Sequence, residues 1–207
     1  MRERILEVAQ RFFMQQGIRA TTMDQIAEEL SISKKTLYEH FPSKEALLES
    51  CSQNFIQQVE EKIQALRTQH ARSAVLSVIA TANYAYTLLA SINPVLFTEL
   101  RRMLPAVRSR LLEKIQQLVE RQLRQVLAQG IAEGVFRKEL PTDLLPLWVS
   151  YVMTQVVLNP DFARQTQKSV QEIYVETLLL LLYSFCTEEG RRQVELYQSH
   201  IRQGYAR

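Results

Sequence analysis

The sequence predicts an all-α fold, and three observations indicate it. Glycine and proline are scarce, at 5 and 6 of 207 residues, while hydrophobic residues make up 46% of the chain. Scarce helix breakers together with abundant Leu, Gln, Glu, Arg and Ala favour helices over strands. Along most of the chain, apolar residues recur at spacings of three and four, as on one face of an amphipathic helix.

The first predicted helix covers residues 2–16. Ile5, Ala9 and Phe12 follow one another at helical spacing and form a single apolar stripe. Gly17 follows the stripe and is expected to end the helix with a positive φ, because glycine adopts the left-handed conformation without a steric penalty.

Hydroxyl residues mark the starts of the next three helices. Thr22 followed by Gln25 three residues later is a capping box. Ser33 can cap a short helix over 34–40, and Ser43 can cap the long helix that follows. Further helices are predicted near 72–91, 94–103, 106–129, 142–158, 170–186 and 188–203, with Thr142 and Thr187 as N-caps of two of them.

The second and third helices are joined by only about three residues, a spacing typical of a helix-turn-helix unit. In such a unit the outer face of the second helix of the pair enters the DNA major groove. Thr36 on that face is short enough to reach a base edge or a thymine methyl group. Lys35, Tyr38 and His40 can meet phosphate oxygens.

Charge counting weakens this interpretation at first sight. The chain carries a net charge of +3, and residues 1–50 hold seven Lys or Arg against eight Asp or Glu, a net of −1. Because charge runs are usually only solvated surface, the face over 33–49 could be a plain helix surface. Tyr38 could instead pack half-buried against the preceding helix, and His40 could be a structural hydrogen-bonding residue.

The segment from Gly17 to Ser50, "GIRATTMDQIAEELSISKKTLYEHFPSKEALLES", resembles the DNA-binding domain of the tetracycline-repressor (TetR/AcrR) family of transcriptional regulators. The shared elements are "IAEELSIS", "TLYEHF" and "SKEALL". The resemblance implies an all-α protein of about nine to ten helices that acts as a homodimer. It also implies a helix-turn-helix DNA-binding domain over 1–47 and a larger helical ligand-binding and dimerisation domain over 48–207.

Carried over residue by residue, the resemblance implies a set of DNA contacts in the N-terminal domain. Lys44 would bind phosphate at the start of the long helix, where free backbone N–H groups also favour an anion. Lys35 occupies a position that is often a small residue in the family, which bears on base specificity. The full set is Thr22, Ser33, Lys34, Lys35, Thr36, Tyr38, His40 and Lys44.

Large residues on the central helices are candidates for the wall of an apolar ligand cavity with a few polar groups. The alternative for each of them is an ordinary place in the hydrophobic core. The predicted lining is Phe55, Asn83, Tyr84, Thr87, Phe97, Met103, Gln117 and Tyr151.

The helices near 142–158 and 170–186 are apolar around most of their circumference. That is more than one buried face requires. They could be two central core helices of a monomer. The interpretation favoured is that they pair with a second copy into a four-helix bundle, since a dimer also suits a two-fold DNA site.

No pattern in the sequence indicates catalysis, a cofactor or a metal site. Cys51 and Cys186 lie far apart and form no CxxC motif, so two reduced core thiols are expected. The apolar run at 177–185 is too short for a membrane span. We expect a cytoplasmic, sequence-specific DNA-binding regulator. The resemblance to the TetR/AcrR family further implies that it responds to a small-molecule effector and represses from a palindromic operator as a dimer. The alternative is a helical small-molecule-binding or adaptor protein that no longer uses its DNA-reading fold.

Overall fold

The computed structural model describes residues 1–205, with side chains described up to residue 196. In that part of the chain the structure is helical and contains no strand. An isolated antiparallel bridge between Phe136 and Cys186 is present. The predicted all-α class is confirmed. The helices are α1 (Arg2–Ala20), α2 (Met23–Glu29), α3 (Lys34–His40), α4 (Lys44–Gln69), α5 (Ala74–Ser91), α6 (Val95–Met103), α7 (Pro105–Ala132), α8 (Leu145–Val152), α9 (Pro160–Thr166), α10 (Val170–Phe185) and α11 (Glu188–Tyr205).

The chain divides into two compact units that interleave along the sequence. Unit 1 combines Met1–Val59 with Ser91–Lys114, and unit 2 combines Glu60–Ala90 with the chain from Ile115 onward. The helix-turn-helix therefore folds together with α6 and the first turns of α7. The predicted division at residue 47 between a DNA-reading and a ligand-binding domain is a functional division and stays a prediction.

The core of unit 1 is built from both of its sequence segments. Ile5, Phe13 and Ile18 of α1 are buried, as are Ile26, Leu37 and Phe41 around the helix-turn-helix. Leu96 and Leu100 of α6 and Val107 of α7 belong to the same cluster. Burial of each such large side chain contributes about 1.5–3 kcal/mol, so α6 is part of what stabilises the helix-turn-helix.

The core of unit 2 joins α5, α7, α8, α10 and α11. The cluster includes Val75, Leu127, Val149 and Phe185, all buried. Helix α5 is long and apolar enough, by length and composition alone, to cross a membrane. Core helices pass the same test, and α5 contributes Ala74, Val75 and Ile79 to the core.

The predicted helix over 142–158 was wrong in its details. Helix α8 begins at Leu145, with Leu144 rather than Thr142 at the N-cap position. The chain then continues as a π-helical segment, Met153–Val157. A separate short helix, α9, follows, capped by the Asn159 side chain, which accepts from the N–H of Asp161 at 2.9 Å.

Gly17 interrupts α1 with φ 87° and ψ −178°. The positive φ agrees with the sequence prediction, but ψ is extended rather than left-handed helical. At this point the Glu99 carboxylate accepts hydrogen bonds from the next two N–H groups, those of Ile18 and Arg19. The helix thus ends at Gly17 and is followed by one short turn, 18–20.

The turn between α2 and α3 holds Ser31 in a left-handed conformation, with φ 53°. For a residue with a Cβ this conformation is strained by about 1–2 kcal/mol. Glycine would remove the strain, but its greater loss of entropy on folding would offset part of that gain. We expect Ser31→Gly to raise the thermal unfolding midpoint by up to about 3 °C, measured by circular dichroism. Ser31→Ala keeps the strain and should give no increase; an equal gain in both variants would contradict the explanation.

Candidate nucleic-acid interface

Helices α2 and α3 form a helix-turn-helix whose inner side is fully apolar. Ile26 and Ala27 of α2 pack with Leu37 and Phe41 at the far side of the turn, and all four are buried. Two backbone hydrogen bonds close the turn: Ser31 N–H to Glu28 O at 2.9 Å and Ile32 N–H to Ala27 O at 3.0 Å. With its inner side fixed in this way, α3 presents its opposite face to solvent.

The start of α2 is set by the predicted capping box. The Thr22 hydroxyl accepts from the N–H of Gln25 at 3.1 Å, and the Gln25 side-chain oxygen accepts from the N–H of Thr22 at 2.9 Å. Thr22 is exposed. Its hydroxyl therefore lies at a helix N-terminus and on the surface, as a phosphate contact requires.

The start of α3 is set by Ser33. Its hydroxyl accepts from the N–H of Thr36 at 3.0 Å and shares a second hydrogen bond with the Thr36 hydroxyl at 2.8 Å. This pair fixes the rotamer of Thr36, which is partly exposed on the outer face. A held hydroxyl with a free methyl group is suited to reading a base edge.

Lys34 is held by an ion pair on the same surface. Its ammonium lies 2.6 Å from the Asp24 carboxylate of α2, and both side chains are mostly exposed. The hydrogen bond to Asp24 and its negative charge raise the pKa of Lys34, so the ammonium stays charged at neutral pH. Exposed pairs of this kind contribute little to stability, so Lys34 can exchange Asp24 for a phosphate at small cost.

Lys35, Tyr38 and His40 all lie exposed on α3. Tyr38 keeps 46% of its surface accessible, so about half of its side chain is available on the outer face of α3. Together with Lys34 and Thr36 they cover the outer side of α3 with two amines, a phenol, an imidazole and a hydroxyl. These groups can donate to phosphates and to the acceptors of base edges.

Lys44 is the predicted contact whose surroundings differ most from the sequence expectation. It is the first residue of α4, as expected, but it is only partly exposed. Its ammonium donates to the backbone carbonyls of Ile18 at 2.7 Å and Thr21 at 2.9 Å. Two of its three N–H donors are therefore used inside the protein, and one is left for a phosphate.

Sequence reasoning missed two residues that contact the segment where α1 ends and α2 begins, residues 14–22, which form the α1–α2 corner. Asn93 donates from its backbone N–H to Met14 O at 2.7 Å and from its side chain to Gln15 O at 3.1 Å. Glu99 of α6 accepts from the N–H groups that follow Gly17. Some 80 residues separate each of them from its partner, so no local pattern could indicate the contact.

The predicted ligand-pocket residues are divided between the two units. Phe55, Phe97 and Met103 belong to unit 1. In unit 2, the side-chain oxygen of Asn83 is buried and accepts no hydrogen bond within the described part of the chain. The remaining four are also in unit 2: Tyr84, whose pKa burial raises, the exposed Thr87 and Gln117, and Tyr151.

Tyr151 lies on an exposed apolar row along α8. The row follows helical spacing, and its members, Leu144, Leu147, Trp148 and Tyr151, are between 44% and 57% exposed. Leu180 on α10 is 73% exposed. Large exposed apolar patches are uncommon on monomers, so this row is a candidate interaction surface.

The two cysteines are buried and unpaired. Burial raises the pKa of the Cys51 thiol to about 12 and that of Cys186 to about 11. Both thiols are therefore protonated at neutral pH and unreactive. Among the side chains described, no group of three or more His, Cys, Asp or Glu is placed to hold a metal ion.

These features define a helix-turn-helix DNA-binding protein. The family profile of bacterial regulatory proteins, tetR family, matches residues 5–51. The chain is 26% identical over 145 residues to the HTH-type transcriptional repressor KstR2 of Rhodococcus jostii (strain RHA1), covering 69% of this chain and 71% of that protein. Residues 5–51 therefore carry the DNA-binding domain of the tetR family of bacterial regulatory proteins.

Two further similarities were found. The uncharacterized HTH-type transcriptional regulator YerO of Bacillus subtilis (strain 168) is 47% identical over 55 residues, which are 27% of this chain and 19% of YerO. A crystal structure of a transcriptional regulator from Cytophaga hutchinsonii ATCC 33406 superposes with a TM-score of 0.69 at 17% identity, covering 89% of this chain and 98% of that one. At this identity the second similarity concerns the fold.

Proposed function

We propose that this protein is a dimeric repressor that binds a palindromic operator in the cytoplasm and is released by a small-molecule effector. The observation that carries the proposal is the outer face of α3, where Lys34, Lys35, Thr36, Tyr38 and His40 are presented while Leu37 is buried. Repression is supported by the likeness to KstR2, which is named a transcriptional repressor.

Within this proposal the contacts of α3 divide into two kinds. Thr36, whose hydroxyl is held by Ser33, reads a base edge. Lys35, Tyr38 and His40 bind phosphates, Lys34 does so after leaving Asp24, and Lys44 uses its remaining N–H donor. Thr22 and Ser33 stand at the helix N-termini that face the DNA backbone. Phosphate contacts supply affinity and salt dependence, whereas base contacts supply specificity.

Dimerisation is supported by the exposed apolar row on α8 and by the exposed Leu180 on α10. Helix α10 packs against the π-helical segment that continues α8. Two copies pairing these helices would cover both surfaces in a four-helix arrangement. A two-fold dimer then presents two α3 helices to half-sites about one helical turn apart, roughly 34–36 Å, or a little more.

Effector binding is supported in unit 2 by the buried, unpaired oxygen of Asn83. An unsatisfied buried acceptor costs about 1–3 kcal/mol, which a bound molecule with a hydrogen-bond donor would recover. Tyr84, Thr87 and Gln117 lie in the same unit and are proposed as further contacts. The effector lowers operator affinity if it binds more tightly to a dimer conformation in which the distance between the two α3 helices does not match the distance between the half-sites.

The direct test is selection of duplexes from a randomised DNA library, followed by gel shifts with the DNA that flanks the protein's own coding region. We expect a palindromic consensus and a bound species containing two protein chains. Recovery of no consensus, together with no shift of the flanking DNA, would refute the proposed function and favour a helical ligand-binding or adaptor protein.

Thr36→Ala should change the selected sequence at one position in each half-site. Loss of one base contact costs about 1–3 kcal/mol of discrimination at that position. Lys35→Ala is the contrasting variant, since loss of a phosphate contact weakens binding to all sequences and lowers the salt slope by about one. Selection with both variants measures the difference; an unchanged consensus for Thr36→Ala would exclude the base contact.

A further inference from the structure

The corner between α1 and α2 has four backbone groups that form hydrogen bonds with residues outside the first three helices. Because Gly17 breaks the helix, the carbonyls of Met14 and Gln15 and the N–H groups of Ile18 and Arg19 lack intrahelical partners there. All four are satisfied from the α5–α6 segment. Asn93 donates to both carbonyls, and one Glu99 oxygen accepts from Ile18 N–H at 2.5 Å and from Arg19 N–H at 3.2 Å.

The opposite side of the same corner is held by Lys44. Its ammonium donates to Ile18 O, so the residue Ile18 has its N–H on a carboxylate and its C=O on an ammonium. Hydrogen bonds with one charged partner are about twice as strong as neutral ones. Glu99 of α6 and Lys44 of α4 are thereby connected through one backbone residue.

This connection bears on the reader helix because of its place in the chain. Helix α3 ends at His40, and Lys44 begins α4 four residues later. Helix α2 begins at Met23, directly after the corner. A shift of the corner therefore moves the entry to α2 and, through Lys44, the segment that leaves α3.

We propose that Glu99 is a positioning residue for DNA binding, which holds the α1–α2 corner, and through Ile18 and Lys44 the end of α3, in the geometry that fits the major groove. The inference rests on the proposed function. Glu99 contacts no DNA in this scheme; it acts through the backbone of Ile18 and Arg19.

The negative charge of Glu99 allows a positioning role to be distinguished from a purely electrostatic one, because the two predict opposite changes in DNA affinity when the carboxylate is removed. Removing a carboxylate from a DNA-binding unit, by charge alone, strengthens DNA binding. A positioning role predicts the opposite sign. Leu96 and Leu100 remain buried in the unit 1 core without the carboxylate, so α6 keeps its apolar anchors in the variant.

The test compares Glu99→Ala and Glu99→Gln with Glu3→Ala, which removes one exposed carboxylate from α1 in the same unit. The probe is a duplex selected by the wild-type protein from a randomised library. We expect Glu99→Ala to bind it at least about tenfold more weakly than wild type, with a salt slope close to that of wild type, because every phosphate-binding side chain is retained. Glu99→Gln keeps an acceptor oxygen and should restore part of the affinity, and Glu3→Ala should bind as well as wild type or better.

Hydrogen exchange supplies the readout that a general loss of stability would not give. The amides of Ile18 and Arg19 should lose protection in Glu99→Ala, whereas those of the α10 core keep theirs. Binding equal to that of Glu3→Ala, or retained protection at Ile18 and Arg19, overturns the inference. Where Glu99→Ala folds too poorly to measure, Glu99→Gln decides by the same two readouts. If the wild-type protein selects no duplex, it is the proposed function that fails.

Discussion

Replacing Trp148 with glutamate should convert the proposed dimer into a monomer of 24.1 kDa. Trp148 lies in the middle of the exposed row on α8, between Leu144 and Tyr151. Tryptophan is the residue type that most often dominates the binding energy of an interface, and its truncation there costs about 2 kcal/mol or more.

The two-fold symmetry doubles this effect. In an isologous interface the same patch is used by both copies, so one substitution removes two tryptophans and introduces two carboxylates. In the dimer each carboxylate would be buried without a partner in an apolar contact, which is unfavourable. Dissociation of the dimer returns both carboxylates to water. A total of about 4 kcal/mol raises the dimer dissociation constant roughly a thousandfold.

Light scattering at micromolar concentration measures the oligomeric state, and gel shifts measure the consequence for DNA. A monomer engages one half-site and should bind the selected duplex at least about a hundredfold more weakly, because the second contact is no longer intramolecular. Leu196→Glu on α11 is the matched control, since Leu196 is also a large exposed apolar residue but lies on a helix outside the proposed face. A monomeric wild-type protein, or a dimer that survives Trp148→Glu, would refute this interface.

The parts of the fold that the sequence predicted are those set by contacts within a few residues. Thr22 with Gln25, Ser33 with Thr36 and Thr187 with Gly190 are each three residues apart, and all three caps are present. Such hydrogen bonds depend on local geometry, so residue type and spacing predict these three. The same reasoning failed for Thr142, because α8 begins only at Leu145. The same reasoning placed the outer face of α3.

What the sequence could not predict depends on distant partners. From the sequence, Lys44 is expected to be a free amine at the start of a helix. In the folded chain its ammonium instead donates to the carbonyls of Ile18 and Thr21. Glu99 reads as an ordinary acid of a short amphipathic helix. No helix is predicted between residues 158 and 170, yet α9 begins there, because Asn159 caps it and Pro160 takes its first helical position.

Gly17→Ala should be among the most destabilising substitutions in unit 1. With φ 87° and ψ −178°, Gly17 occupies a region that is essentially restricted to glycine. A Cβ at this position would lie 2.7 Å from a Glu99 carboxylate oxygen and 2.8 Å from a Val95 methyl carbon. Backbone strain and displacement of these groups together should cost about 2–4 kcal/mol.

Gly134→Ala separates the two causes, because Gly134 also has a positive φ of 73° but a Cβ there would meet nothing within 4 Å. It should cost only about 1 kcal/mol in urea unfolding, the strain of the left-handed conformation. Gly17→Ala should in addition weaken DNA binding, since its Cβ pushes the Glu99 carboxylate away from Ile18 and Arg19. Equal losses of stability in the two variants would mean that Val95 and Glu99 of α6 move away from the new Cβ at little cost. Glu99 could then not hold the corner firmly enough to position α3.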